Sequence, residues 1–208
     1  MTLHLWLAFV VASGVLLLIP GPTVLLVIGY ALSEGRRSAL SVLTGVALGD
    51  FVAMSLSVLG LGAVLAASAT AFTVLKWVGA AYLIYLGIVM WRRPRRPTAD
   101  LAARRPSSDL AKLGHAFTVT VLNPKSIAFF VAFVPQFLVP TAPLSAQIPV
   151  LLATFVGLAV ATNFAYAMAA GTLRQQVRQP RVLRALDRFG GSVLIGAGIA
   201  TAALRRTG

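Results

Sequence analysis

Residues 19–22 read IPGP, inside an apolar run that extends from Leu3 to Ser33. Much further along, LNPKS at residues 122–126 interrupts a second apolar run in the same way. Proline removes a backbone donor and crowds the carbonyl four residues behind it, so Pro20 and Pro22 free the carbonyls of Leu16 and Leu18. As a straight helix, Leu3–Ser33 would be ~46 Å long against a hydrocarbon core of ~30 Å. The break therefore falls near mid-span. Freed carbonyls are tolerated at that depth only where protein or a wet cavity satisfies them.

The rest of the chain agrees with a bilayer. Of its 208 residues, 58% are hydrophobic and 11% charged, with a mean hydropathy of +0.88. No soluble domain hides so much apolar surface. The absence of cysteine excludes disulfide frameworks, iron–sulfur clusters and thiol electron transfer. His4 and His115 are too few for a transition-metal site, so no metal or cofactor is expected. A formal charge of +13 points to nucleic acid in a soluble protein, but its placement overrules that here. Seven of the 18 Lys and Arg lie in residues 92–112, five in 174–188, and Arg36 and Arg37 form a third cluster. Set between apolar runs and without interleaved aromatic residues, they read as cytoplasmic loops. The stretch MTLHLWLAFVVASG has no basic residue ahead of its apolar run and no cleavage site after it, so it reads as a mature first helix.

Six runs are long enough to span: Leu3–Ser33, Ser38–Ala67, Phe72–Trp91, Leu113–Val139, Ile148–Leu173 and roughly Phe189–Leu204. The links between them alternate, basic and uncharged, which places both termini outside the cytoplasm. Arg205 and Arg206 are the exception to this pattern. Lys76–Gly87 (KWVGAAYLIYLG) and Arg188–Gly198 (RFGGSVLIGAG) match at an offset of 111, pairing Gly79 with Gly190, Leu83 with Leu194, Ile84 with Ile195 and Gly87 with Gly198. Pro22 and Pro124 hold matching places in the first run of each half. Three spans per half invert the second copy. The expected fold is thus an all-α polytopic membrane protein of six transmembrane helices in two inverted three-helix repeats, 1–91 and 113–208. The first helix of each repeat is broken by proline. The Arg-rich linker 92–112 reads as solvated, with binding to anionic lipid head groups as the lesser reading. Small residues such as Ser192 and Gly196 suit helix contact within one subunit or in a homo-oligomer.

Chemistry should gather at mid-membrane. Asn123 is a strong N-cap type and Pro124 suits the first helical position after it. Gly21 and Pro22 read as a second helix start. Asn123 lies ~15 Å into its span and Asp50 ~18 Å into its own. Lys125 follows the second break directly, and Asn163 is near the centre of Ile148–Leu173. Two helix starts present positive dipole ends and free N–H groups, which suit a carboxylate, and Lys125 strengthens this. Asp50 suits an ammonium group. The expected site is therefore zwitterion-binding, with Asp50 and Lys125 paired when it is empty. The bland alternatives are a structural kink, a packing role for Asp50 and a lysine snorkelling to the interface. Glu34 with Arg36 and Arg37 reads as a membrane-surface charge cluster rather than a gate, and His115 as an interface residue.

The stretches IPGPTVLLVIGYALSEGRRSALSVLTGVALGD (19–50), AFTVLKWVGAAYLIYLG (71–87), LNPKSIAFFVAFVPQF (122–137) and RVLRALDRFGGSVLIGAG (181–198) resemble the LysE/RhtB family of amino-acid exporters. The similarity runs essentially end to end. It implies an efflux carrier of the bacterial inner membrane that moves amino acids or close derivatives in exchange for protons. By motif position, Gly21, Pro22, Asp50, Asn123, Pro124 and Lys125 carry over, and Asp50 is the proton-coupling candidate. Thr23 stands where many members have Asn or Asp, and Ala53 where many have His, which leaves the substrate side chain unassigned. A membrane-embedded enzyme is the rival class, but it would need a second deep carboxylate or a mid-span histidine, and an enzyme is not expected. Export of a metal or other inorganic ion is the closer alternative, short of soft ligands.

Overall fold

The computed structural model describes residues 1–35, 38–92, 108–139, 141–177 and 180–203, apart from some side chains near the α3–α4 and α7–α8 junctions. The described residues contain eight α-helices and no strand. These are α1 (Leu3–Leu18), α2 (Pro22–Ser33), α3 (Ala39–Ala67), α4 (Ala69–Arg92), α5 (Asp109–Val121), α6 (Pro124–Ala132), α7 (Leu144–Val177) and α8 (Pro180–Ala203), with a short 3-10 turn at Val134–Phe137. Residues 93–107 of the linker, Arg36, Arg37, Arg205 and Arg206 lie outside the described residues.

Both proline sites are real breaks. The chain bends by 56° between α1 and α2, and by 46° between α5 and the segment Pro124–Phe137. In α3, Ala39–Gly60 is long and apolar enough to cross a membrane, as is Leu144–Ala170 in α7, and each bent pair qualifies when taken together. Large apolar side chains face outward along these helices, among them Val11, Leu40, Leu59, Trp77 and Ile199. Such surfaces belong in lipid.

Several helices start earlier than their apolar runs suggest, α5 and α8 among them. Ser108 caps α5 by accepting from the Ala111 amide at 3.2 Å, and Asp109 complements the dipole of the first turn. The first turns of α8 carry Arg181, Arg184, Asp187 and Arg188, so a hydropathy reading places its start too late.

The buried apolar residues form two cores. One holds Phe9, Ala53, Met54, Leu83, Phe129, Phe130, Phe155 and Leu194. The other holds Val27, Tyr30, Val42, Val46, Ala116 and Ala167. α3 and α7 run through both, and their polar residues fall between: Val46, then Asp50, then Ala53; Ala159, then Asn163, then Ala167.

The most extensive helix contact is α4 with α8, followed by α3 with α5. In the first, a methyl built on Gly87 would strike the Gly191 carbonyl and Ile195, and one on Gly198 would strike the Ala80 carbonyl and Ile84. Subtracting the offset of 111 turns Gly191 and Ile195 into Ala80 and Ile84. The two glycines therefore meet corresponding partners, as a two-fold-related contact requires.

Gly87→Ala should overpack this contact and destabilise the protein by ~1–3 kcal/mol. A methyl at Gly157 meets nothing within 4 Å, and there Ala should be neutral or stabilising by up to ~1 kcal/mol. Thermal unfolding of the two variants in detergent measures the contrast.

Candidate functional site

The site begins with the carbonyls that the first break releases. Lys125, at the start of α6, reaches across to the end of α1 and donates from Nζ to the Leu16 carbonyl at 3.0 Å and the Ile19 carbonyl at 2.9 Å. The Tyr166 hydroxyl, from α7, donates to the Leu18 carbonyl at 2.8 Å. The two acceptors deprived by Pro20 and Pro22 are thus Leu16 and Leu18, and each has found a side-chain donor. An ammonium group at the negative end of the α1 dipole is favourable in its own right. A Cβ on Gly21 would sit 3.3 Å from Lys125 Nζ, so glycine leaves the lysine its path.

The second break is tied to the first by side chains. Asn123 caps α6 by accepting from the Lys125 amide at 3.1 Å, while its Nδ2 donates to Thr23 Oγ1 at 3.2 Å. Thr23 Oγ1 also lies 3.4 Å from Thr120 Oγ1. Pro124 occupies the first turn of α6 and Pro22 that of α2. Unlike α6, α2 has no side-chain cap, because its N-cap is Gly21. The amides of its first turn are left for another acceptor.

A small cavity of about 20 Å³ lies at this junction, lined by Gly21, Thr23, Val24, Asp50, Asn123, Lys125, Ser126 and Asn163 among others. Five of the seven residues singled out from sequence border it. Pro22 and Pro124 shape the adjoining helix starts. The cavity has room for about one water, so an amino-acid head group enters only if the helices part. Asp50 is 3% exposed and Asn163 2%. Asn163 Nδ2 donates to the Ala159 carbonyl at 2.8 Å, while its Oδ1 is buried without a partner among the described residues. An unpaired acceptor beside a carboxylate suits a donor-rich cation.

The expected Asp50–Lys125 ion pair is not formed. The ion pairs among the described residues include Lys112 with Glu34 and Lys112 with Asp109, both at 2.9 Å. Lys125 remains within electrostatic reach of Asp50 but is held by backbone carbonyls, which repay its desolvation at shorter range. Nor does it snorkel: its side chain is buried. Sequence reasoning marks Thr23 only as a departure from the family pattern, and it singles out neither Thr120 nor Tyr166. Only the backward count from each proline points to a need for donors such as Tyr166, and it does not say which helix supplies them.

Where α2 ends and α5 begins, Lys112 is buried against Glu34, and Tyr30 Oη lies 3.1 Å from His115 Nδ1. The hydrogen bond from Lys112 holds the Asp109 carboxyl below its usual range. Glu34 is thus part of a helix-to-helix tie, not only a surface charge. No group of three or more His, Cys, Asp or Glu gathers among the described residues.

The profile of a family described as LysE type translocator matches residues 14–204. An uncharacterized membrane protein of Vibrio cholerae is 37% identical over 96% of this chain and 97% of its own length. A homoserine/homoserine lactone efflux protein of Salmonella typhimurium is 34% identical over 97% of this chain and 98% of its own. A leucine efflux protein of an Enterobacter species is 32% identical over 65% and 64%. No solved structure matches the chain.

Tyr166→Phe leaves the Leu18 carbonyl without its donor and should cost ~1–3 kcal/mol of stability. Unfolding in detergent of this variant against Tyr82→Phe, whose side chain is part-exposed on α4, isolates the effect.

Proposed function

The chain belongs to the LysE type translocators, and from that premise we propose that it exports an amino acid or close derivative across the bacterial inner membrane in exchange for protons. The observation that carries this reading is the cavity between the two cores, where Asp50, Lys125, Asn123 and Asn163 meet two helix starts. The relatives named for homoserine and leucine efflux support the substrate class.

The roles divide by charge. The substrate ammonium binds Asp50 and the open Oδ1 of Asn163. The carboxylate draws Lys125 toward it and takes the uncapped amides of α2. Asn123 keeps the two breaks in register through Thr23. Asp50 serves as the proton carrier, because ammonium and proton compete for the same carboxylate. Competition for one site is sufficient to couple their opposite movements.

Access alternates about this level through six spans arranged as two inverted repeats. The matched glycine contacts of α4 and α8 support the repeat, as does the pairing of α3 with α5 and α6 against that of α7 with α1 and α2. Both termini lie outside the cytoplasm and the basic links inside. The ties of Lys112 and His115 then belong to the cytoplasmic side, and in this closed form they hold α2 against α5.

Reconstituted protein should catalyse proton-dependent counterflow of labelled amino acids. Absence of exchange for every amino acid tried would overturn the proposal. Asp50→Asn removes the anionic partner of a buried ammonium, a loss of ~3–5 kcal/mol. Binding should weaken by at least about 100-fold and export should fall to background, with membrane insertion unchanged. Export at the normal rate by this variant would remove Asp50 from the coupling role.

A further inference from the structure

The contact between α2 and α5 is a ladder of polar pairs. Thr23 Oγ1 lies 3.4 Å from Thr120 Oγ1, Tyr30 Oη 3.1 Å from His115 Nδ1, and Lys112 Nζ 2.9 Å from Glu34 Oε2. The helices run antiparallel, so these pairs follow one another from the level of the breaks to the far end of α2. From Thr23 to Glu34 the ladder spans ~16 Å along the axis. Thr23 borders the polar cavity, and Lys112 also reaches Asp109, an exposed carboxylate, at 2.9 Å. The ladder thus joins the surface to the cavity that Asp50 and Lys125 line.

Packing alone does not call for such a seam. Thr23, Tyr30, Lys112 and Thr120 are buried, and the core around them is built from apolar residues such as Val24, Ile28, Val42 and Val46. Polar groups placed there give up water and recover the loss only by pairing. A buried ion pair is commonly matched or bettered in stability by apolar residues of similar volume. On the other side of the cavity α1 meets α6 and the turn after it in that apolar way, through the rings of Phe9, Phe129 and Phe137. The α2–α5 seam instead has the composition of a surface that is wetted when the two helices part. The pair at its mouth suits a zwitterion in particular. Parting Lys112 from Glu34 with nothing between them strands a carboxylate. A molecule with one ammonium and one carboxylate fits between them, ammonium to Glu34 and carboxylate to Lys112, and every charge keeps an opposite partner.

We infer that the α2–α5 seam is the route by which the transported molecule reaches the polar cavity from the cytoplasm, and that Glu34 and Lys112 form its first docking point, selective for free amino acids over their esters. The inference rests on the export reading above and adds the entry site and the route to it. Beyond the docking point Tyr30, His115, Thr120 and Thr23 offer hydrogen bonds in turn. Val27 lies between Thr23 and Tyr30 on the same face of α2, because residues four and three apart share a helix face.

The test uses the full-length protein in vesicles of known sidedness, with labelled leucine and homoserine as probes applied to one face at a time. Glu34→Gln leaves Lys112 its partner Asp109, so the variant should fold as the parent does. It should raise the KM at the cytoplasmic face by at least about 10-fold and leave the KM at the other face unchanged. It should also narrow the preference for leucine over leucine methyl ester at the cytoplasmic face. The chain has no cysteine, so Val27→Cys supplies a single thiol inside the seam. A membrane-impermeant maleimide should modify that thiol from the cytoplasmic face and not from the other. An unchanged KM in Glu34→Gln overturns the docking point. A Val27→Cys protein that exchanges amino acids but is not modified from the cytoplasmic face overturns the route. Either result leaves the export reading standing, whereas no exchange of any amino acid by the parent protein overturns both readings.

Discussion

The backbone carbonyls at the end of α1 constrain everything around them. A membrane interior offers no water to an unpaired acceptor, and each one left bare costs several kcal/mol. Pro20 and Pro22 create that deficit at Leu16 and Leu18, and the α1 terminus adds Ile19. The Leu16 carbonyl keeps a local donor in the Ile19 amide at 3.2 Å, and the further donors at this helix end come from elsewhere in the chain. Lys125 supplies two hydrogen bonds and Tyr166 one. Those bonds bring the second break to the first, because Lys125 follows Pro124 directly. The fold thus turns a local fault in one helix into a long-range contact between the two halves.

That contact sits between two hydrophobic cores, and the layering has mechanical consequences. α3 and α7 pass unbroken through both cores, whereas the α1–α2 and α5–α6 segments bend at the layer between them. Bending is cheapest where the helical hydrogen-bond ladder is already interrupted. The polar layer is therefore both the place where the buried charged side chains Asp50 and Lys125 gather and the place where two of the spans bend. Asn123, by bonding Thr23 and capping α6 at once, couples those properties.

Much of this is legible in residue types and spacing. IPGP and NPK mark the breaks through rules of proline and N-cap chemistry that operate within a few residues. Asp50 and Asn163 stand out because polar groups are expensive at their depth. What escapes a linear reading is direction. Lys125 was expected to face Asp50, yet backbone acceptors outcompete it, and nothing in the sequence near Lys125 announces carbonyls freed in another helix. Tyr166 is invisible for the same reason. The start of α8 is missed because its first turns are charged, and a hydropathy pattern cannot distinguish a polar helical turn from a loop.

The position of Lys125 bears directly on what a substrate carboxylate would have to displace. A carboxylate entering the cavity must compete for an ammonium group already held by two carbonyls, and drawing Lys125 away leaves the Ile19 carbonyl without that donor and the Leu16 carbonyl with only the Ile19 amide, at 3.2 Å. Departure of the substrate reverses the exchange, since Leu16 and Ile19 recapture the lysine and the α1 end closes over it. Lys125 is thus satisfied where it stands, and drawing it away requires an anion strong enough to replace two charge-assisted hydrogen bonds. A proton on Asp50 brings no such anion. In the proposed exchange, the substrate-bound form is therefore the one in which Lys125 leaves the α1 carbonyls, and the proton-bound form the one in which it keeps them.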